Sequence, residues 1–279
     1  MFINLKKALL VARKNRFAVG AFNVFDLEGA KAVAIAAEEL RAPVIFQTTP
    51  KAIEFAGLEQ IFNIVKNEIH DRNLKATIHL DHAKDFGLVR ECINAGYNSV
   101  MIDGSELDFD ANVHLTRKVV SYAKEYDVNV EAELGAIGRE AGENGSELKG
   151  KTDPKLVSKF VEMTNINALG ISIGNAHGAP EGEKIDFELL EKISKESSIP
   201  LVLHGSSGLG KYDLQKAIKL GIAKFNIDTN LRKAFTGEIE EHNSIKDPRD
   251  ILNKIMLAQT EIVKRYIELS GAEDKYEEV

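Results

Sequence analysis

The feature that most constrains the fold is an alternation of short apolar, β-rich runs with longer amphipathic runs. The strand candidates are FAVGAFNV (17–24), PVIFQTT (43–49), ATIHLDH (76–82), SVMIDGS (99–105), VNVEAELGAI (128–137), ALGISIG (168–174), PLVLHG (200–205) and KFNIDT (224–229). The helical patterns include residues 27–40, 85–96, 153–165, 186–197 and 211–221. Strands that are apolar on both faces are typical of a parallel sheet covered by helices.

Eight strand candidates, each followed by a helix, within 279 residues predict an α/β protein with a single (β/α)8 TIM barrel. The alternative is a doubly wound open sheet. No GxGxxG motif follows the first strand, and eight strands close a barrel naturally. We therefore expect one barrel domain over residues 1–279, with a C-terminal helical extension through ILNKIMLAQTEIVKRYIELSG (251–271).

Composition narrows the classes of function. A net charge of -7 disfavours a nucleic-acid binder, because phosphate contacts need clustered Lys and Arg. Cys92 is the one cysteine, which excludes an internal disulfide and a Cys-based zinc site. No run reaches the roughly 18 apolar residues of a membrane span, and the N-terminus lacks the apolar stretch of a signal peptide. We expect a cytoplasmic protein that binds neither nucleic acid nor membrane.

Polar residues collect at the C-terminal ends of the strand candidates, where a TIM barrel carries its active site. In chain order they are Asn23, Gln47, Thr48, Thr49, Asp81, His82, Asp103, Ser105, Glu131, Glu133, Asn175, His177, His204, Asn226, Asp228 and Thr229. This distribution predicts a polar site at that mouth of the barrel.

Three of the seven histidines, His82, His177 and His204, fall at the ends of different strands. A lone histidine in such a position is more often structural, but a closed barrel would bring these three around one mouth. Three imidazoles with an open fourth position form a catalytic zinc site. The pattern by itself leaves two interpretations, a zinc site and a metal-free acid/base site.

Two segments near the end of the barrel favour a bound phosphate. HGSSG (204–208) places glycines and hydroxyls before a helix that begins near Lys211, and NIDTN (226–230) follows the last strand. Either segment alone reads as an ordinary turn and helix cap. Together they favour a phosphate site, because exposed backbone N–H groups bind anions and TIM barrels use these two loops for that purpose.

Five motifs in order, HLDHAKD, VEAELGAIG, GNAHG, LVLHGSSG and KFNIDTN, resemble those of the class II, zinc-dependent ketose-bisphosphate aldolases. The likeness extends from about Asn4 to the DPR segment at 247–249. The resemblance implies reversible cleavage of a ketose 1,6-bisphosphate, in the first place fructose 1,6-bisphosphate, into dihydroxyacetone phosphate and glyceraldehyde 3-phosphate, as in glycolysis. The alternatives are a tagatose-1,6-bisphosphate aldolase, a related metal-dependent sugar-phosphate lyase and a non-catalytic barrel subunit.

The resemblance also implies roles for individual residues. His82, His177 and His204 correspond to the Zn²⁺ ligands, and Glu133 lies near the metal and can ligate a second or displaced zinc. Asp81 corresponds to the catalytic proton donor and acceptor. The candidates for substrate binding are Asn23, Thr49, Gly178, Gly205, Ser206, Ser207, Asn226, Ile227, Asp228 and Thr229. A monovalent cation, Na⁺ or K⁺, near the phosphate and a homodimer or homotetramer are implied as well.

One segment departs from the family pattern. Family members commonly carry GGxED after ELGxx, and the glutamate of GGxED is a mobile-loop base. This chain reads ELGAIGREAGENG. Arg139 stands where the second glycine is expected, and Ala141 stands where the glutamate is expected. We predict Glu140 as the base and keep Glu143 as the alternative. The polar, glycine-rich stretch at 139–154 is typical of a functional lid.

Asp81 and His82 are consecutive, and strict strand alternation would send them to opposite faces. We expect the third strand to end there, so that both side chains reach one site. The alternative is that Asp81 merely caps the next helix. A lysine-based aldolase mechanism would need a lysine at a strand end, but Lys84 lies beyond its strand and Lys224 begins one.

Overall fold

The computed structural model describes residues 1–135, 150–176, 178 and 184–279. Within these residues, eight parallel strands form a closed barrel in sequential order, and the first strand pairs with the last. The strands are β1 (Val19–Asn23), β2 (Val44–Thr48), β3 (Ala76–Ala83), β4 (Ser99–Ile102), β5 (Asn129–Leu134), β6 (Ala168–Ile171), β7 (Leu201–Leu203) and β8 (Ile222–Ile227). The predicted TIM barrel is confirmed, and the open doubly wound sheet is wrong.

Eleven α-helices are present in the described part of the chain. They are α1 (Leu5–Asn15), α2 (Leu27–Glu39), α3 (Pro50–Ala56), α4 (Leu58–Asp71), α5 (Phe86–Ala95), α6 (Phe109–Lys124), α7 (Pro154–Thr164), α8 (Phe187–Glu196), α9 (Lys211–Lys219), α10 (Thr229–Glu241) and α11 (Pro248–Ser270). Short 3-10 helices span Ser206–Gly208 and Tyr276–Glu278. None of the described helices has the length and apolar character to cross a membrane.

The predicted C-terminal helical extension is α11, and it packs against α2 and α10 on the outside of the barrel. Its buried face includes Ile255, Val263 and Ile267. Asp247 caps its N-terminus by accepting a hydrogen bond from the backbone N–H of Arg249, and Gly271 ends it in the left-handed conformation that glycine adopts without strain. The extension therefore belongs to the outer helical layer.

The barrel strands are buried along almost their whole length, as expected for a sheet covered by helices. Most of their side chains are apolar, and Phe22, Phe46 and Phe225 are fully enclosed. Some ionisable groups are enclosed as well, among them Glu131 and Lys224. Such groups are rarely buried unless they are paired, and these two form an ion pair with each other.

The third strand differs from the expectation, because β3 continues through Ala83 and does not end at His82. Its register against β4 shifts between Leu80 and Ala83, and His82 has a φ of 51°, in the left-handed region. A bulge of this kind locally breaks the alternation of side chains and re-aims one of them, as bulges next to active sites often do. Asp81 and His82 therefore share one site through an irregularity inside the strand.

Asp81 does not cap α5, the helix that follows β3, so the alternative interpretation of Asp81 is wrong. Asp85 caps α5, since its Oδ1 accepts a hydrogen bond from the backbone N–H of Leu88 at 3.1 Å. Asp81 is thus left for the interior of the barrel mouth.

Candidate active site

The C-terminal mouth of the barrel brings together side chains from β3, β5 and the segment after β7. The imidazole rings of His82 and His204 meet edge to face with their centroids 4.6 Å apart. Asp81, His82 and His204 each offer a potential metal-ligating atom within 4.8 Å of the others, and so do His82, Asp103 and Glu133. The predicted cluster is therefore present for those of its members that the structure describes.

Asp81 is held by two amide groups. Its Oδ1 accepts a hydrogen bond from Asn226 Nδ2 at 3.0 Å, and its Oδ2 accepts one from Asn23 Nδ2 at 3.2 Å. Gln47 Nε2 donates to Asn23 Oδ1, which orients that amide. Burial alone would raise the pKa of Asp81, but the neighbouring charges of His82 and Lys224 outweigh it and lower this pKa. The carboxylate is thus ionised and fixed in direction.

His82 is oriented by a carboxylate at the end of β4. Its Nδ1 lies 3.0 Å from Asp103 Oδ2, and its Nε2 faces Asp81 Oδ1 at 4.0 Å. Asp103 is in turn held by Ser105, whose backbone N–H and hydroxyl both donate to Asp103 Oδ1. Burial raises the pKa of Asp103, but its hydrogen bond and charge interaction with His82 lower it further than burial raises it. Nδ1 of His82 therefore donates to Asp103, and Nε2 points towards the site.

His204 is fully buried between two glutamates of β5. Its Nδ1 lies 2.9 Å from Glu133 Oε2, and its Nε2 lies 2.9 Å from Glu131 Oε1. Burial alone would lower the pKa of His204, but the hydrogen bonds to Glu131 and Glu133 raise it to about 10. For Glu133, burial and the charge of Asp103 raise the pKa more than His204 lowers it. Each nitrogen of this ring therefore has a defined carboxylate partner.

The third predicted ligand, His177, lies outside the described residues, as do Glu140 and Glu143 of the predicted lid. Gly178, which follows His177, is described and has a φ of 92°, a conformation that favours glycine. Asn175, two residues before His177, is buried and connects the ends of β6 and β7. It accepts from the backbone N–H of Ile173 and donates to the carbonyl of His204.

The predicted phosphate-binding residues lie at the ends of the adjacent strands β7 and β8. Gly205 has a φ of 64° and leads into the 3-10 helix Ser206–Gly208. The hydroxyl of Ser206 donates to the carbonyl of Leu203, and the carbonyl of Ser207 accepts from the hydroxyl of Tyr266. These contacts shape the turn, so that an anion here would be bound chiefly by backbone N–H groups.

The other predicted substrate-binding residues are distributed around the same mouth. Asn226 and Ile227 are the last residues of β8, Asp228 is the N-cap residue of α10, and Thr229 is the first residue of that helix. Asp228 accepts a hydrogen bond from Arg232 Nε at 3.0 Å. Thr49 follows β2 and caps α3, since its hydroxyl accepts from the backbone N–H of Ala52. Asn23 lies beside Asp81, as described above.

In the sequence, Asp103, Ser105, Gln47 and Glu131 are polar strand-end residues without an assigned role, and Lys224 is a lysine that begins a strand. The structure places all of them in contact with the cluster or with a neighbour of it. A polar side chain at the end of an otherwise apolar strand is the signal that could have included Asp103. The position of Lys224 carries no comparable signal.

The donor set is suitable for a divalent transition metal. It consists of imidazoles and carboxylates, which are ligands of zinc and related ions, and the ligating atoms already lie close together. The buried carboxylates around them, Asp103 and Glu131, hold the two rings in place. Ligating histidines usually have such a partner for their second nitrogen.

Comparisons with known proteins agree with this arrangement. The family model described as "Fructose-bisphosphate aldolase class-II" matches residues 3–275. A fructose-bisphosphate aldolase of Staphylococcus aureus (strain Mu50 / ATCC 700699) is 37% identical over 281 residues, which cover 98% of each chain. The crystal structure of the YdjI aldolase from Escherichia coli K12 superposes with a TM-score of 0.90 at 29% identity and covers 99% of this chain and 100% of its own. A putative fructose-1,6-bisphosphate aldolase structure from Coccidioides immitis has the same TM-score of 0.90 at 28% identity and covers 99% of both chains.

Proposed function

Since the chain belongs to the class II fructose-bisphosphate aldolase family, we propose that it reversibly cleaves fructose 1,6-bisphosphate into dihydroxyacetone phosphate and glyceraldehyde 3-phosphate. The observation that carries the proposal is the ionised, doubly hydrogen-bonded Asp81 beside the imidazoles of His82 and His204. A carboxylate next to a metal-binding cluster supplies the base that a carbon–carbon cleavage requires. The chain is a class II aldolase, and the substrate is the finer part of the proposal.

The proposed metal ligands are His82, His177 and His204, with Glu133 beside them, and the proposed ion is Zn²⁺. Support comes from the donor set and from Asp103 and Glu131, which orient the two described rings. When bound, such an ion acts as a Lewis acid on the carbonyl of the substrate. Neutral imidazole nitrogen is a common ligand for zinc.

In the proposed cleavage, an oxygen of Asp81 takes the proton of the C4 hydroxyl while the C3–C4 bond breaks. C4 leaves as the aldehyde, and the electron pair of the broken bond remains with the C1–C3 fragment. Condensation reverses these steps, and Asp81 returns the proton to the C4 oxygen. Asn226 and Asn23 hold the carboxylate in the direction that this transfer needs.

Asn226 is proposed to orient the substrate fragment as well. Its Nδ2 is bonded to Asp81, and its Oδ1 is buried without a hydrogen-bond partner among the described residues. An unpaired buried acceptor is costly, so a substrate hydroxyl that donates to it would recover that energy.

The phosphate of the dihydroxyacetone phosphate half is proposed to bind at Gly178, at the turn of Gly205, Ser206 and Ser207, and at the segment from Asn226 through Ile227 and Asp228 to Thr229. The left-handed Gly205 and the position of the turn beside β8 support this assignment. Asn23 and Thr49 complete the proposed substrate-binding set. A monovalent cation, Na⁺ or K⁺, would lie near this phosphate and reduce its charge.

The proposal is tested by a panel of phosphorylated ketoses assayed for release of dihydroxyacetone phosphate, with and without a chelator. Fructose 1,6-bisphosphate is expected to give the highest kcat/KM, and removal of the metal is expected to abolish release. A higher kcat/KM with tagatose 1,6-bisphosphate would reassign the substrate. No release from any ketose by metal-loaded protein would contradict the aldolase activity of this chain and favour the non-catalytic barrel subunit.

The loop base is proposed to be Glu140, which lies outside the described residues. The exchange of the C3 proton of dihydroxyacetone phosphate needs a base at that carbon, and a general base typically contributes about 10²–10⁴-fold. Glu140→Gln is expected to slow deuterium exchange at C3 by that order, while Glu143→Gln serves as the matched control. Normal exchange in Glu140→Gln with slow exchange in Glu143→Gln moves the assignment to Glu143, and normal exchange in both removes the base from this loop.

A homodimer or homotetramer in the cytoplasm, with residues 1–279 as one domain, completes the proposal. A partly exposed aromatic cluster at the barrel mouth supports association between copies. The Phe55 side chain is 76% exposed and contacts Phe25, which also contacts Phe235. Exposed apolar patches of this kind often mark contact surfaces.

A further inference from the structure

A buried ion pair between β5 and β8 lies beside the candidate metal site, and the proposed mechanism gives it no role. Lys224 Nζ lies 2.9 Å from Glu131 Oε2 and 3.2 Å from Glu131 Oε1. Both side chains are fully buried. A buried ion pair contributes little to stability compared with apolar packing of the same volume, because both charges lose their hydration. Stability alone therefore does not account for it.

The ion pair contacts His204, one of the proposed metal ligands, through Glu131. Glu131 Oε1, the oxygen that contacts Lys224 at 3.2 Å, also lies 2.9 Å from His204 Nε2. A carboxylate paired with Lys224 can only accept hydrogen bonds, so Nε2–H of His204 is the donor in this contact.

A neighbouring histidine does not compete with Lys224 for Glu131. His79 Nε2 lies 3.8 Å from Glu131 Oε2, whereas His79 Nδ1 lies 2.7 Å from Ser99 Oγ. Burial and the charge of Lys224 lower the pKa of His79 to about 3, so its imidazole is neutral. Lys224 therefore supplies the positive charge that balances Glu131, and it contacts both carboxylate oxygens.

The His204 ring has little freedom to move away from this contact. A Cβ atom at Gly170 would lie only 2.9 Å from His204 Cε1, which shows how closely the ring packs against β6. The backbone carbonyl of His204 is held by Asn175 Nδ2. The ring plane is thus determined by packing, and the two carboxylates determine which nitrogen faces which way.

The other nitrogen, Nδ1, faces Glu133, which is one of the potential metal ligands. Glu133 Oε2 is 2.9 Å from His204 Nδ1 and 3.9 Å from His82 Nδ1, so it spans the two imidazoles. Nε2 faces Glu131, which is paired with Lys224. The two nitrogens of His204 therefore contact different carboxylates.

We propose that Glu131, held in place by Lys224, is a positioning residue that keeps the proton of His204 on Nε2 and directs Nδ1 to the metal. The inference rests on the proposed metal site. Glu131 does not touch the metal or the substrate in this scheme, and it acts through the ring that it orients. Partners of this kind typically change metal affinity about 10–100-fold when they are altered.

Two variants test the proposal. Glu131→Gln keeps the shape of the side chain but replaces the carboxylate with an amide that can turn its NH₂ group towards His204. Glu131→Gln combined with Lys224→Met also removes the cation, so that no unpaired charge remains buried. In both variants the apparent Kd for zinc, measured by competition with a chelator, is expected to rise about 10–100-fold.

A structural role would not change the geometry of a bound ion, so the second measurement is the visible absorption of the Co²⁺-loaded protein. Its d–d bands are expected to shift in both variants. The matched control is Glu191→Gln on α8, where the glutamate pairs with Lys195 at the surface. This control is expected to keep the zinc Kd and the absorption of the unaltered protein.

The unaltered protein gives a test that does not depend on whether a variant folds. Imidazole ¹⁵N NMR of the zinc-loaded protein is expected to show a protonated Nε2 and a metal-bound Nδ1 for His204. The signals of His204 are assigned by their absence from the spectrum of His204→Gln. A metal-bound Nε2, or unchanged zinc Kd and Co²⁺ absorption in both folded variants, would overturn the role of Glu131 and leave the proposed aldolase function intact. An unaltered protein that binds no zinc would overturn the proposed metal site itself, and the inference with it.

Discussion

His82→Ala and His204→Ala are each expected to lose bound zinc and nearly all cleavage activity. Each substitution removes an imidazole whose ring is oriented by a carboxylate towards a common point at the barrel mouth. The expected loss is the largest of any single substitution, because metal binding and the polarisation of the carbonyl fail together. His177→Ala is expected to behave in the same way. Elemental analysis of the purified variants and the rate of dihydroxyacetone phosphate release measure both effects.

The matched control for this experiment is His70→Ala on α4, where the side chain is 87% exposed and contacts Asp71 alone among its charged neighbours in the described chain. It is expected to keep both zinc and activity. His204→Ala also leaves Glu131 and Glu133 without their shared partner, so the thermal stability of this variant should be measured alongside. Full activity in a demetallated sample of the unaltered protein would contradict the metal mechanism and favour a lysine-based one.

Asp81→Ala is expected to separate metal binding from chemistry. Zinc should remain, while cleavage should fall by about 10²–10⁴-fold or more, the contribution typical of a general acid or base. The lowered pKa of Asp81 means that the residue is ionised across the neutral range and ready to accept a proton. Asp81→Asn keeps the shape of the side chain and should show the same loss of rate. Zinc content and single-turnover cleavage measure the two properties separately.

The alternative outcome has a structural basis, because Asp81 offers an oxygen within ligating distance of the same point as His82 and His204. Loss of zinc together with activity in Asp81→Ala would therefore identify Asp81 as a ligand. Asp71→Asn on the surface of α4 is the matched control and should change neither property. Retention of both zinc and full activity in Asp81→Ala would remove Asp81 from the mechanism.

Much of the candidate site could be predicted from local sequence because each candidate residue lies at or just after the end of an apolar strand. The end of β3 carries Asp81 and His82, the segment after β7 carries His204, and the end of β8 carries Asn226. Parallel strands in a closed barrel all end at the same mouth, so the position of a residue along its own strand was enough to place it. The order of the strands did not have to be known.

The partners of these residues could not be predicted in the same way. Asp103 orients His82, Glu131 orients His204, and Gln47 orients the amide that holds Asp81. The two residues of each pair are at least 21 positions apart in the chain, and their contact depends on register and on side-chain direction. The sequence contains the polar residues but not the distances between them.

The alternation of apolar runs was by itself sufficient to predict the barrel, and the polar residues at the ends of the runs were sufficient to predict which side chains line its mouth. Hydrophobic periodicity is a local property, and burial of the apolar faces leaves few architectures open. The tertiary structure alone decided that β3 continues through a bulge, with His82 in the left-handed conformation, and that Lys224 reaches Glu131 across the interior. Both depend on how strands pair and close around a common axis, which is a non-local property that no single segment of the chain encodes.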